Sequence, residues 1–365
     1  MVKKGISNLK NTVEILIGKV NLELLKNIER DSDFFSDPHI ISFFNYREKG
    51  NFDDDFLSFL ATGYLVNQNL NMDTTKFSDD IGISYIPNQG YYKGNDLINP
   101  IHTFKDTSIE LVQYNDKIID NILFNLINHK DYIVSKELTF TNSEIIEESM
   151  RLIKKHCIDF FEQLNQCCKK IVLFNASSSS TNSFASINHH GMIFLNVNKE
   201  FHSKVFFVDD ISHQAGHVIL DTIFLSGEQF FLLDKNYLIS NLNKYKDDHR
   251  DVYILIHALY TYYCITSNLD NIIESGVLNS TQNLEAKSRI GFYIMKFSLD
   301  LGILNELDRE FGYENLFSIP MLNIIKSIFQ KYTYIYDKWY LTVENYNYTN
   351  QSYDFDFILF NELNS

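Results

Sequence analysis

Two histidines four residues apart inside an apolar helical pattern, Ile211-Ser212-His213-Gln214-Ala215-Gly216-His217, constrain this chain more than any other stretch. On an α-helix a step of four residues turns through about 400°, so His213 and His217 lie one above the other on the same face. Their ring nitrogens can then converge on one metal ion. Many helical histidines instead cap carbonyls or pack in a core, so two ligands alone do not define a site.

The position after the first histidine carries the next constraint. In zinc hydrolases the His-Glu-x-x-His form uses its Glu as general base, whereas Gln214 cannot accept a proton. The motif therefore speaks for metal binding and against hydrolysis. A third imidazole comes from Arg250-Asp251-Val252-Tyr253-Ile254-Leu255-Ile256-His257, where a lone His sits in an otherwise apolar helix expected from Asp251 to Thr266. Burying an imidazole costs free energy unless its nitrogens are satisfied. A metal shared with His213 and His217 would satisfy them, and so would a backbone carbonyl or a Tyr hydroxyl. Asp221, one turn below His217, and Glu228, beyond the helix end, compete as third ligand. Asp221 would need a tight approach along one helix and ranks below His257.

With 365 residues the chain has room for one large domain or two ordinary ones, and a hydrophobic fraction of 45% is enough for a real core. Lys plus Arg number 32 against 47 Asp plus Glu, a formal charge of −15 that repels a polyphosphate backbone and speaks against nucleic acid as a partner. Cys157, Cys167, Cys168 and Cys264 form neither a C-x-x-C pair nor a disulfide framework, so reduced thiols and a cytoplasmic location are expected. Neither a secretory signal after Met1-Val2-Lys3-Lys4 nor a membrane span is expected.

Residues 8 to 30 place apolar side chains at helical spacing among polar ones and predict an amphipathic helix. From Asp31 to Val134 the pattern is mixed: Phe56-Leu57-Ser58-Phe59-Leu60 reads as helix, and Gly82 to Tyr92 as a strand followed by a turn. The Thr141-Asn142-Ser143-Glu144 spacing predicts a capping box opening a long helix that runs to about Lys170. Strands at Ile171 to Phe174 and Met192 to Leu195 flank a polar loop from Ser177 to Thr181. The motif helix follows from Lys204 to Leu225 and ends at Ser226-Gly227; further helices cover Gln282 to Glu306 and Met321 to Tyr332. The expected architecture is α+β and predominantly α-helical. It comprises a mixed N-terminal region, 1–140, suited to substrate recognition, and a metal-binding core domain, 141–365. In that core a small sheet is expected to pack against a zincin-like metal-binding helix.

The array of His189-His190-Gly191, the His213-x-x-x-His217 helix, and Arg250-x6-His257 followed by Ala258-Leu259-Tyr260 resembles the HExxH-type peptide β-hydroxylase family, which tailors ribosomally made peptides. The resemblance covers residues 140 to 300 and is strongest from Phe206 to Tyr263. It implies an Fe(II)- and 2-oxoglutarate-dependent oxygenase that hydroxylates a side-chain β-carbon of a precursor peptide and converts 2-oxoglutarate to succinate. Residue by residue, His213 and His217 match the family's two metal-binding histidines and His257 its downstream histidine, while Gln214 departs from the family Glu. Such an oxygenase needs open positions on iron for 2-oxoglutarate and O₂, not a protease-style base, so the departure harms a hydrolase more. The family Glu can still orient a ligand or fix an imidazole tautomer, a role that falls to Gln214 here.

If helical geometry extends back to Arg250, this residue stands roughly 20° from His257 in angle and about 10 Å away along the axis. That placement suits a bidentate grip on the distal carboxylate of 2-oxoglutarate. The competing reading is a salt bridge among Asp247, Asp248 and Asp251. His189, His190 and His249 are candidates for bonds behind the ligands, although a pair beside a turn glycine also reads as a solvated strand end. The rival functions are a zinc metallopeptidase and a non-catalytic peptide-binding partner.

Overall fold

The computed structural model describes residues 1–65, 74–127, 131–177, 179–198, 202–351 and 354–365. They form an α+β, predominantly helical protein with small sheets. The chain divides into two compact units, the first of residues 1–147, 162–202 and 221–226, the second of 148–161, 203–220 and 227–365. The expected boundary after residue 140 lies near the first crossing, and the two units interleave along the chain. The strands of 162–202 belong with the N-terminal region, whereas the histidine helix lies mainly in the second unit.

In the first unit the N-terminal amphipathic segment forms two helices, α1 (Val2–Val20) and α2 (Leu22–Lys26), because Asn21 ends one and caps the other by accepting from the Leu24 amide at 2.9 Å. Asp37 caps α3 (Pro38–Gly50), whose first residue is a proline placed where its missing N–H costs nothing; Asp53 caps α4 (Asp54–Ala61). Strands β1 (Ile83–Ile86), β2 (Gly90–Lys93) and β3 (Asp96–Pro100) make an antiparallel meander. Next come β4 (Glu110–Leu111), α5 (Lys117–Ile127) and β5 (Tyr132–Ile133).

The single helix expected from Thr141 to Lys170 is two, α6 (Lys136–His156) and α7 (Ile158–Cys167). Ser135 supplies the first-turn acceptor, its Oγ taking the Leu138 amide at 3.2 Å, so Thr141 falls inside α6 and donates to the Glu137 carbonyl at 2.8 Å rather than opening a helix. A second sheet is completed by β6 (Lys170–Ala176), β7 (Phe184–Ala185) and β8 (Met192–Asn196), in the order β4-β6-β8-β7 with β5 antiparallel to the end of β6. Strand β6 runs parallel to both β4 and β8. Both long strands are buried almost throughout, the continuous apolar run required of a strand covered on both faces. Val172, Phe174, Met192 and Phe194 share one apolar cluster with Phe34, Phe59 and Ile122, which is why the sheet belongs to the first unit. Of the expected loop from Ser177 to Thr181, Ser178 lies outside the described residues.

The second unit is helical. It takes residues 204–220 of α8 (Lys204–Phe224), together with α9 (Val252–Glu274), α10 (Ser280–Phe311), α11 (Tyr313–Leu316), α12 (Ile319–Val343) and α13 (Phe357–Asn364). Helices α9, α10 and α12 pack on one another. Asn279 and Gln282 form a reciprocal capping box that starts α10. Almost every residue of α8 is buried, in keeping with its apolar composition. Among the described residues no helix is long and apolar enough to cross a membrane.

Candidate metal centre

The seam between α8 and α9 is built on small and hydroxyl side chains. A Cβ at Gly216 would stand 3.3 Å from Thr261 Cγ2 and 3.4 Å from Cys264 Sγ, so the glycine between the two motif histidines lets the helices approach closely. One turn earlier, Ser212 Oγ accepts from Asn268 Nδ2 at 2.9 Å and donates to the Val208 carbonyl at 2.6 Å. This approach brings together the three histidines that the sequence singles out. The His213 and His217 rings stack with centroids 5.2 Å apart, as their four-residue spacing requires, and the His217 and His257 rings stack at 5.3 Å across the seam. The Nδ1 atoms of His217 and His257 are 3.0 Å apart. Tyr253, one turn before His257 on α9, lays its ring 4.4 Å from that imidazole.

Burial, reinforced by the Lys296 ammonium, pushes His213 down to about 3. Burial followed by the neighbouring His213 and His257 holds His217 well below the ordinary imidazole value. Both rings are therefore neutral at pH 7, the state in which a ring nitrogen can bind metal. Their folded values lie below the unfolded value of about 6.5, so the unfolded chain binds more protons as pH falls. The contribution is complete above about pH 6.5 and declines below it by roughly 1.4 kcal/mol per pH unit for each histidine. The metal-free protein is expected to show a lower urea midpoint at pH 5 than at pH 7, with a shallower dependence in His213→Gln. An unchanged dependence in that variant would show that His213 does not titrate as described.

Two nitrogens bound at right angles to one ion, each at about 2.1 Å, lie about 3.0 Å apart. The His217 and His257 Nδ1 atoms have that separation. It also fits an Nδ1–H···Nδ1 hydrogen bond between the two rings, with the tautomers deciding which ring donates. Three imidazoles are a suitable donor set for Fe(II) or Zn(II). Among the described residues, however, no three His, Cys, Asp or Glu side chains already surround a common point, so His213 would join the other two by turning its ring. The donor chemistry fits an ion, and two of the three nitrogens stand at ligand spacing.

Gln214 is buried, and its Nε2 donates to Asp210 Oδ1 at 3.4 Å, one turn back along α8. A Glu at this position would set a second carboxylate against Asp210. Gln214→Glu is accordingly expected to lower stability by about 1–3 kcal/mol in urea denaturation, the cost of burying an imperfectly paired polar group. A stabilised variant would refute this account.

Arg250 is not on the helix of His257. Asp251 caps α9 by accepting from the Ile254 amide at 2.8 Å, and the helix begins at Val252, so the expected angular register does not apply. The guanidinium is held on both edges. Nε and Nη2 donate to Asp248 at 3.0 and 2.7 Å, and Nη1 and Nη2 donate to Asp300 on α10 at 3.1 and 2.7 Å. Of the three nearby aspartates expected as partners, Asp248 takes that place and Asp251 serves as cap. Asp300 is fifty residues downstream and carries no local signal.

The remaining candidates separate by unit. Asp221 falls in the first unit, and His249 and Glu228 are exposed. His189 and His190 also lie in the first unit and are fully buried, which corrects the solvated strand end. Burial pushes them down to about 3 and about 4 against the pull of the Asp221 charge; His190 Nε2 pairs with Thr222 Oγ1 at 3.0 Å, and His189 stacks on Tyr46.

Sequence reasoning did not find the charged groups nearest the centre. Lys296 of α10, whose charge acts on His213, places its ammonium between 5.3 and 5.9 Å from the centroids of Tyr262, Phe292 and Tyr293. Asp209 lies four residues before His213 and accepts from Arg289 Nη1 at 2.7 Å and from the Tyr293 hydroxyl at 2.9 Å, while Arg289 also grips Glu285. The Asp209-x3-His213 spacing was the available signal for this buried network. No protein-family model matches the chain, and no curated protein is detectably similar to it.

Proposed function

We propose that the protein is an Fe(II)- and 2-oxoglutarate-dependent oxygenase that hydroxylates a side-chain carbon of a peptide. The observation that carries this reading is the gathering of three imidazoles, His213, His217 and His257, on facing turns of α8 and α9, with the His217 and His257 nitrogens at ligand spacing. These residues would hold the ion and leave open positions for a bidentate 2-oxoacid and O₂. Bound there, iron would supply O₂ activation and C–H oxidation. The resemblance to the HExxH-type peptide β-hydroxylases supplies the peptide substrate and the β-carbon.

The surrounding residues have defined tasks in this reading. The seam at Gly216 keeps the rings together, burial keeps His213 and His217 unprotonated, and the Lys296 ammonium draws an anionic cosubstrate toward His213. Arg250 can grip the distal carboxylate only by exchanging a partner. Asp248, whose side chain is 19% exposed against 7% for Asp300, is the one open to exchange. The two carboxylates already on Arg250 favour a second reading, a non-catalytic peptide-binding protein. A zinc peptidase is disfavoured because Gln214, engaged with Asp210, provides no carboxylate to activate water.

The test is aerobic incubation with Fe(II), 2-oxoglutarate and a peptide library, read as succinate release and as a gain of one oxygen by mass spectrometry. The proposal expects both, and expects both to vanish in His257→Ala. Tightly held zinc without succinate release would overturn it in favour of the peptidase-like protein. Failure to bind any divalent metal would overturn it in favour of the binding protein.

A further inference from the structure

The first unit contains a buried charged network that the proposed chemistry does not use. Lys170, at the start of β6, places its ammonium 2.9 Å from Glu110 Oε2 and 3.6 Å from Asp37 Oδ2, and donates to the Tyr85 hydroxyl at 2.5 Å. Tyr85 and Tyr91 both donate to Glu110, and Tyr64 donates to Asp37 at 2.6 Å. Behind them His39 pairs with Asp116 at 2.9 Å. Asp37, His39, Glu110, Asp116 and Lys170 are all buried. Burial opposes their charged forms, yet Lys170 keeps Asp37 far below the usual carboxylate range, and Asp37 and Glu110 hold Lys170 above its ordinary value.

Well-packed apolar residues commonly stabilise a core as well as or better than buried ion pairs, so stability alone does not require this arrangement. Here Asp37, Tyr64, Glu110 and Lys170 border a cavity of about 380 Å³, with Asp33 and Lys169 also in its lining. This is near the lower end of small-molecule pockets, about 300–1,000 Å³, and suits a small polar ligand. The lining carries both signs of charge. A simple anion would meet the three carboxylates of Asp33, Asp37 and Glu110, and a simple cation the ammonium groups of Lys169 and Lys170. A molecule with an ammonium and a carboxylate on one carbon can offer each sign of charge its opposite over the 3.6 Å that separates Asp37 from Lys170.

We propose that this cavity is a second binding site, and that its ligand is a free α-amino acid held by its ammonium group at Asp37 and Asp33 and by its carboxylate at Lys169 and Lys170. The site lies within the first unit and does not depend on the metal centre.

The test uses the full-length protein in calorimetric titrations with each of the twenty free amino acids. For the best ligand the titration is repeated with its amide, which lacks the carboxylate, and with its N-acetyl form, which lacks the ammonium. At least one free amino acid should bind saturably, with each capped form at least tenfold weaker. Lys170→Met tests the floor directly but removes a buried partner and endangers folding. Ser108→Trp avoids this difficulty, because Ser108 is an exposed residue of the lining outside the charged network, and a bulky side chain there is expected to obstruct the cavity. It should weaken binding at least tenfold while leaving the circular dichroism spectrum and melting temperature unchanged. Lack of saturable binding by all twenty, equal binding of either capped form, or full binding by a folded Ser108→Trp would each overturn the proposal.

Discussion

Replacing His257 with alanine is expected to weaken divalent metal binding by at least about 100-fold, since even a residue that only supports a metal ligand commonly contributes 10- to 100-fold. The two readings of the His217–His257 approach diverge here. If the 3.0 Å between the Nδ1 atoms serves an ion, His217→Ala and His257→Ala should each abolish metal retention and succinate release. If it serves only a hydrogen bond, either variant should lose about 1–3 kcal/mol of stability through the unpaired buried nitrogen left behind, with no change in metal content. Metal analysis and urea denaturation on the same preparations separate these outcomes. Asp221→Ala tests the competing third ligand one turn below His217 on α8; metal affinity unchanged in that variant leaves the third position to His257. Wild-type metal affinity in His257→Ala would end the metal-centre reading.

Arg289→Met is expected to cost the protein about 3–5 kcal/mol, the usual penalty for breaking a buried ion pair from one side. The guanidinium stands between two buried carboxylates, 2.7 Å from Asp209 on α8 and 2.8 Å from Glu285 on its own helix, and the variant leaves both without their cation. Burial already raises the Asp209 carboxyl above its ordinary value despite the Arg289 charge, so its removal should drive protonation rather than leave a bare anion. Part of the loss should return in the combined Asp209→Asn, Glu285→Gln and Arg289→Met variant, which removes the charges together. Because Asp209 lies one turn before His213, the single variant should also loosen the end of α8 that carries His213. A destabilisation under about 1 kcal/mol in urea would show that the network does not anchor the helix.

The sequence reading succeeded where the deciding interactions are local and weakened where they are not. The bounds of α8, the strands β6 and β8, and the helix carrying His257 follow from apolar runs and their punctuation, and all were legible. Thr141 misled because a Thr-x-x-Glu spacing also occurs inside helices; only the hydroxyl of Ser135, accepting from Leu138, shows where α6 begins. Arg250 misled for a related reason. Its spacing to His257 suggests a shared helix face, but the carboxylate of Asp251 caps α9 and leaves Arg250 before the first turn. The buried Lys170, with partners at Asp37, Tyr85 and Glu110, had no signal at all, since Glu110 is brought to it by parallel strand pairing and Asp37 and Tyr85 by packing, all from far away in the chain.

By itself, the sequence determined that His213 and His217 share one face, that the motif position between them lacks a carboxylate, and that the chain is rich enough in apolar residues for a core. Those properties follow from helical periodicity and side-chain chemistry, which act over a few residues. Tertiary structure decided that His257 meets His217, that two aspartates occupy Arg250, and that the small sheet joins the N-terminal region. Each of these joins groups whose meeting depends on packing beyond the local pattern. For the three histidines the physical reason is the packing of α8 on α9, close at Gly216, where an added Cβ would stand 3.3 Å from Thr261 Cγ2.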